Sequence, residues 1–346
     1  MNPIEEAQKI LVIRLSSLGD IVVLTPIFRA LRSRFPTAQI DCLTKIEFQP
    51  LLHDNPYLSR ILTFDTSTGL AGWINLCQQL QTASYDLYLD MHANLRSRIL
   101  GYYLRQSRLL RWHKPRLKRF FLFYLYLNLF PQDFCLQSEY FKVLTPLDLV
   151  TDGLLPEIFL SEAVIKSADI ILRDHQINGP FVVLLPIATW INKRYPVERY
   201  KELADRIWVA YQLPAVWLGG KKDRYLRAAG IPNNASNILL IGETSLAESL
   251  AILARSTLVI GNDTGLSYAA EALGIPLILI LGPTSRETGA GHNCPGSYTI
   301  EKQLWCRPCS QKGDRRCYRR RRYCMEGISA DEIFQAVSSI LNRIEE

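Results

Sequence analysis

Ile10-Leu11-Val12-Ile13-Arg14-Leu15-Ser16-Ser17-Leu18-Gly19-Asp20 is the stretch that decides how this chain of 346 residues folds. Its apolar run breaks at Ser-Ser-Leu-Gly-Asp and resumes as Ile21-Val22-Val23-Leu24-Thr25-Pro26, the pattern of a buried strand entering a helix through a tight turn. In the second half, Leu258-Val259-Ile260-Gly261-Asn262-Asp263-Thr264-Gly265 repeats the device ahead of Leu266–Gly274. A helix N-terminus carries unpaired N–H groups and a partial positive charge, so each turn is a natural seat for phosphate. Two such turns, one in each half, predict a cleft between two domains.

The flanking sequence extends the alternation. Apolar runs at Ile10–Leu15, Gln39–Leu43, Ile61–Phe64 and Asp86–Asp90 predict strands, and Ile21–Arg34, Leu70–Gln81 and Leu95–Arg105 carry helical periodicity. A helical pattern over Ser161–Gln176 leads to Asn178-Gly179-Pro180, after which strands are expected at Phe181–Pro186, Ala215–Leu218, Ile238–Ile241, Leu258–Ile260 and Leu277–Leu281. Helices at Val197–Tyr211, Leu246–Arg255, Gly265–Leu273 and Ser329–Ile344 complete the second half. The reading is an α/β protein of two Rossmann-like, doubly wound domains, residues 1–160 and 161–346.

Composition narrows the class. With 48% hydrophobic and 21% charged residues the chain is an ordinary folded protein. The opening residues, with Glu5 and Glu6, are unlike a secretory signal, so a cytoplasmic protein is expected. The longest aromatic–aliphatic run, Phe120–Phe130, is about half of the roughly 20 residues a spanning helix needs. The net charge of +7 is concentrated: Met91–Gln132 holds nine Lys or Arg and no acid, and Arg307–Arg322 holds eight more basic residues. There is no G-x-G-x-x-G, no P-loop and no H-E-x-x-H, which removes the best support for dehydrogenase, P-loop and zincin chemistry.

In open α/β sheets ligands bind beyond the carboxyl ends of the strands, which singles out Asp20. It reads equally as a first-turn helix residue meeting the dipole or as a base that takes a proton from an attacking hydroxyl. Taken together, Ser16-Ser17-Leu18-Gly19-Asp20, Lys193-Arg194-Tyr195-Pro196 and Asn262-Asp263-Thr264-Gly265 ahead of Gly282-Pro283-Thr284 resemble glycosyltransferase family 9, which contains the lipopolysaccharide heptosyltransferases. The resemblance implies a GT-B fold with the acceptor on the N-terminal domain and the nucleotide sugar on the C-terminal one. It also implies inverting chemistry with no cofactor for catalysis.

Carried over position by position, the resemblance makes Asp20 the base, with Arg14, Ser17 and Gly19 on the acceptor side. Lys193 falls at the donor diphosphate, where its charge would stabilise the departing oxygens. Thr189, Asp223, Asp263, Thr264, Gly265 and Tyr268 become donor-site candidates: Thr189 and the Asp263-Thr264-Gly265 turn at the diphosphate, and Asp223 at the ribose. Two positions depart from the pattern, Ala188 where many members carry a hydroxyl and Tyr268 where many carry histidine. A tyrosine donates a hydrogen bond but is no cation near neutral pH.

Cys306, Cys309, Cys317 and Cys324 form C-x2-C-x7-C-x6-C, with the residue type of a structural zinc or iron site. Disulfides and unlinked thiols are the other readings of the same spacing. The basic stretch ending in aromatic rings is compared with interfacial helices at anionic lipid, against the plainer reading of an amphipathic helix packed on its own domain. The sequence therefore predicts transfer of a heptose or related sugar from an ADP-sugar to an anionic, lipopolysaccharide-type glycolipid. Contact with the inner membrane surface and no nucleic-acid partner complete the expectation. The alternative is a non-catalytic nucleic-acid or anionic-lipid binding protein on a degenerate GT-B fold; a nucleotide-sugar epimerase or hydrolase is a weaker third.

Overall fold

The computed structural model describes residues 7–292 and 294–345. They divide into two compact units, the first ending at Pro115 and rejoined by Cys135–Phe159, the second comprising Arg116–Phe134 and the residues from Leu160 on.

In the first unit, β1 (Lys9–Ile13), β2 (Gln39–Lys45), β3 (Arg60–Phe64), β4 (Leu87–Asp90) and β5 (Arg108–Arg111) form one parallel sheet in the order β3-β2-β1-β4-β5. Helices α1 (Leu18–Arg34), α2 (Gly69–Thr82) and α3 (Leu95–Tyr103) make the crossovers. Strand order reverses between β1 and β4, and at such a switch point a crevice opens beyond the strand ends. Asp20 in the first turn of α1 and Asp90 at the end of β4 stand on its two sides. Pro26 lies inside α1 and cannot donate to Val22; the Thr25 hydroxyl donates to the Val22 carbonyl instead, at 2.9 Å.

The segment 116–134, expected within the N-terminal domain, groups with the second unit. Its helix α4 (Arg116–Tyr124) buries Leu122 and Phe123 in a cluster with Phe130, and the Arg315 guanidinium sits 5.9 Å from the Phe123 ring. Asn128 donates to Glu287 at 2.8 Å. The chain then returns to the first unit with α5 (Leu136–Phe141).

In the second unit α6 (Glu162–Asp174) precedes a parallel sheet of β6 (Val182–Leu185), β7 (Ala215–Trp217), β8 (Asn237–Leu239), β9 (Leu258–Asn262), β10 (Leu277–Leu281) and β11 (Tyr298–Glu301). Its order is β11-β10-β9-β6-β7-β8, so the reversal falls between β6 and β9. Helices α7 (Val197–Tyr211), α8 (Leu246–Arg255), α9 (Gly265–Ala272), α10 (Tyr323–Glu326) and α11 (Ala330–Glu345) complete it. Every residue of β6, β9 and β10 is buried, as expected of parallel strands covered on both faces. Both sheets are the doubly wound Rossmann-like arrangement that the sequence predicts. No helix among the described residues is long and apolar enough to cross a membrane.

Candidate active site

In the first unit the candidate chemistry gathers on Asp20. Its Oδ1 lies 2.8 Å from the Arg14 guanidinium, and its Oδ2 accepts from the Ser17 backbone N–H at 2.9 Å and the Ser17 hydroxyl at 2.6 Å. The same carboxylate ties down the first turn and faces a buried cation. Burial alone would raise the Asp20 pKa, but the Arg14 charge and the Ser17 bonds outweigh it and hold the carboxyl down at about 2. Leu18, Gly19 and Asp20 occupy the first turn, whose N–H groups have no carbonyl of their own helix to bond.

Arg14 is not placed as an exposed acceptor contact. Its side chain is buried, donates to the Met91 carbonyl, and lies against both the Trp112 and Tyr140 rings, 5.5 Å from each centroid. Those two rings meet edge to face at 5.0 Å. Beside them Asp90 accepts from Arg111 Nε at 2.7 Å and from the backbone N–H of Ala93 at 2.8 Å. His92 follows, its pKa pulled down to about 4 by burial and by the Arg14 and Lys114 charges, so at neutral pH it is an uncharged imidazole. Its buried Nδ1 has no hydrogen-bond partner among the described residues. Sequence reasoning missed Asp90, His92, Trp112 and Tyr140; only the position of Asp90 and His92 at a strand end could have drawn attention to them.

In the second unit β9 delivers Asp263 into a closed set of bonds. Its Oδ2 accepts from Lys193 Nζ at 2.5 Å and from the Thr284 hydroxyl at 2.7 Å, while Oδ1 accepts from the Tyr268 hydroxyl at 2.7 Å. Burial pushes the Asp263 carboxyl up, but Lys193 and the two hydroxyls together hold it below its ordinary range. Tyr268, four residues past Thr264 on α9, is thus a structural donor to Asp263, and burial with the Asp263 charge drives its own pKa well up. A histidine is not required for that bond. Thr264 is the N-cap of α9, makes no side-chain capping bond, and leaves the first N–H groups beside Gly265 open.

The loop that carries Lys193 is pinned at both ends by Asn262. Its Oδ1 accepts from the Tyr195 N–H at 3.1 Å, and its Nδ2 donates to the Ile187 carbonyl at 3.3 Å. Within that loop Thr189 is exposed and Ala188 is buried, its carbonyl taken by Arg194 Nε at 2.9 Å. Asp223 stands apart from the Asp263 cluster. It accepts from the Gly220 N–H at 3.0 Å at the start of a 3-10 turn; burial raises its pKa, against the charges of Arg194 and Lys222. Arg194 also lies over the Tyr225 ring at 5.2 Å, which places a cation next to Asp223.

The four cysteines lie near enough for Cys306, Cys309 and Cys317 each to add to burial in raising the pKa of Cys324, but the expected zinc or iron centre finds no support in their placement. Among the described residues no group of three His, Cys, Asp or Glu side chains is disposed to hold a metal ion, and all eight thiols are unlinked. Arg319 donates to Cys306 at 3.8 Å, Cys309 lies 4.0 Å from the Pro283 carbonyl, and Cys317 lies 3.8 Å from the Arg321 carbonyl. Burial and the neighbouring thiols push the Cys324 thiol up to about 11.

What the segment does is brace the Asp263 cluster. Arg307 bonds the carbonyls of Gly282 and Thr284, and the Cys309 N–H donates to the Pro283 carbonyl at 3.1 Å, fixing the turn that presents Thr284. Asn192 donates to the Gly313 carbonyl at 3.2 Å. Gly313, at φ +79°, lies against the Lys193 stem so closely that a Cβ there would fall 2.8 Å from Lys193 Cγ. A cavity of about 700 Å³ elsewhere in this unit, beside His175, Trp208 and Asn233, opens at the N-terminal ends of the strands, away from these groups.

Two Rossmann-like, doubly wound units make this a protein of the GT-B fold class. The chain matches the sequence profile of glycosyltransferase family 9 (heptosyltransferase) over residues 73–318 and belongs to that family. It is similar to lipopolysaccharide heptosyltransferase 1 of Pseudomonas aeruginosa, with 24% identity covering 88% of this chain and 86% of the relative. A solved family 9 glycosyltransferase from Veillonella parvula superposes with a TM-score of 0.80 at 19% identity, over 98% of each chain. The E. coli ADP-heptose lipopolysaccharide heptosyltransferase II does so at 0.75 and 21% identity, over 98% of this chain and 100% of that one. The expectation of a glycosyltransferase therefore holds.

Proposed function

We propose that the protein transfers a heptose from ADP-heptose to a hydroxyl of a lipopolysaccharide-type glycolipid at a membrane surface, with inversion at the anomeric carbon. The donor seat in the second unit carries this reading: an uncapped α9 N-terminus adjoining Asp263, whose ion-pair partner is Lys193. Relatives and similar structures named as heptosyltransferases, one of them for ADP-heptose, supply the sugar and the nucleotide.

In this mechanism Asp20 takes the proton from the acceptor hydroxyl and the oxygen attacks the anomeric carbon. The bond from that carbon to the diphosphate oxygen breaks, and ADP leaves with the electron pair. Charge building on the diphosphate is met by the N–H groups at Thr264-Gly265 and by Lys193, which keeps two N–H donors beyond the one given to Asp263. Thr189, exposed on the same loop, contacts the diphosphate, and Asp223 beside Arg194 meets the ribose. Ser17 and Gly19 hold Asp20 in place for the acceptor, and Arg14 sets its charge. The first unit is thus assigned to the acceptor and the second to the donor.

Calorimetric titration with nucleoside diphosphates tests the donor half. Selective ADP binding, weakened about tenfold or more in Lys193→Ala, is expected from losing one charge-assisted contact. Absence of ADP binding, or unchanged affinity in the variant, would remove the donor seat.

A further inference from the structure

The two basic, aromatic segments that the sequence holds almost two hundred residues apart form one surface of the second unit. On α4, Leu117, Phe120 and Tyr124 share the outer face, opposite the buried Leu122 and Phe123, and Leu117 is 70% exposed. Residues 125–129 continue outward with Leu125, Tyr126, Leu127 and Leu129, each about half exposed. Phe120 stacks on Tyr124 at 5.0 Å, and Arg315 covers Tyr124 at 4.3 Å. Tyr126 lies beside Tyr318, Tyr318 lies 6.0 Å from Trp305, and Arg319 sits 4.4 Å from the Tyr323 ring. Trp305 is 72% exposed.

Cations predominate in these segments. Arg116, Lys118, Arg316, Arg320 and Arg321 are exposed, against Asp314 and Glu287, which keep their charge beside Ser310 and Asn128, and Glu326, which pairs with Arg322.

We propose that this face docks the enzyme on an anionic lipid bilayer, an inference that rests on the reading of the acceptor as a membrane glycolipid. The occupant follows from the chemistry. Rings capped by guanidinium groups suit the headgroup boundary, and exposed leucines between them suit the acyl edge. Leucines add nothing to base stacking, so a single-stranded nucleic acid would use only part of the face. A second copy of the chain would set five like charges against themselves across a twofold axis.

The test is flotation of the full chain with vesicles of phosphatidylcholine alone or mixed with phosphatidylglycerol, scored beside ADP affinity and transfer to a deacylated, water-soluble acceptor. Binding is expected only to the mixed vesicles. It should fall more than about tenfold in Leu117→Asp/Leu127→Asp and likewise in Arg320→Glu/Arg321→Glu, with ADP affinity and soluble transfer kept. Equal binding to both vesicle types, full binding by either variant, or a stable dimer or oligonucleotide complex in place of vesicle binding would overturn the proposal. Loss of soluble transfer in the wild type, with vesicle binding intact, would strike the transferase reading and leave the surface standing.

Discussion

As the proposed base, Asp20 sits in an unusual position. A carboxylate held at about 2 by Arg14 and Ser17 is ionised throughout the physiological range, so it is always ready to accept a proton but is intrinsically weak. The acidic limb of kcat/KM should therefore not come from Asp20 above about pH 4. Replacing Arg14 by leucine removes the lowering charge and leaves burial, which raises the pKa; the limb should move up by about one unit or more, while Arg14→Lys keeps it low. An unchanged pH profile in Arg14→Leu would deny the pairing its role. Tyr268 makes a different prediction. Losing its hydroxyl in Tyr268→Phe takes one of three donors from a buried carboxylate, and the protein should lose about 1.5–3 kcal/mol of stability in a denaturant titration. No measurable loss would mean that the bond is not the reason tyrosine stands there.

At the scale of elements, the brace from the cysteine segment is the feature with consequences. Gly313→Ala would place a methyl group 2.8 Å from Lys193 Cγ, at a backbone angle that a side chain rarely adopts, and so displace the lysine from Asp263. ADP affinity should fall about tenfold with Asp20-dependent steps untouched, read as raised donor KM and a kcat within a few-fold of wild type. Unchanged donor KM would contradict the brace. The strands that carry the site, β1 and β9, were legible because strands buried on both faces read as unbroken apolar runs. Edge strands β5 and β11 were not, since their half-exposed residues, such as Arg108 and Arg111 or Thr299 and Glu301, lack any such run.

Across the whole molecule, Asp20 and the Asp263-Thr264-Gly265 turn could be singled out as candidates from their place just after a strand, whereas Lys193 came from the family resemblance. Their partners could not be singled out: Trp112 and Tyr140 reach Arg14 from about a hundred residues away, and Thr284 and Gly313 reach Asp263 and Lys193 through tertiary packing. The segment 116–134 was misplaced for the same reason, because its attachment to the second unit depends on Arg315 and Glu287. The spacing of four cysteines suggested a metal; among the described residues no three ligands are grouped to hold one, while Arg307 and Gly313 make contacts at Thr284 and Lys193.

The central claim is that Asp20 activates the acceptor while a separate seat holds the nucleotide. The most direct measurement is steady-state heptosyl transfer from ADP-heptose by Asp20→Asn, with calorimetric ADP binding on the same preparation. The account predicts a loss in kcat of about 10²–10⁴, with ADP affinity unchanged. Turnover near the wild-type rate would contradict it.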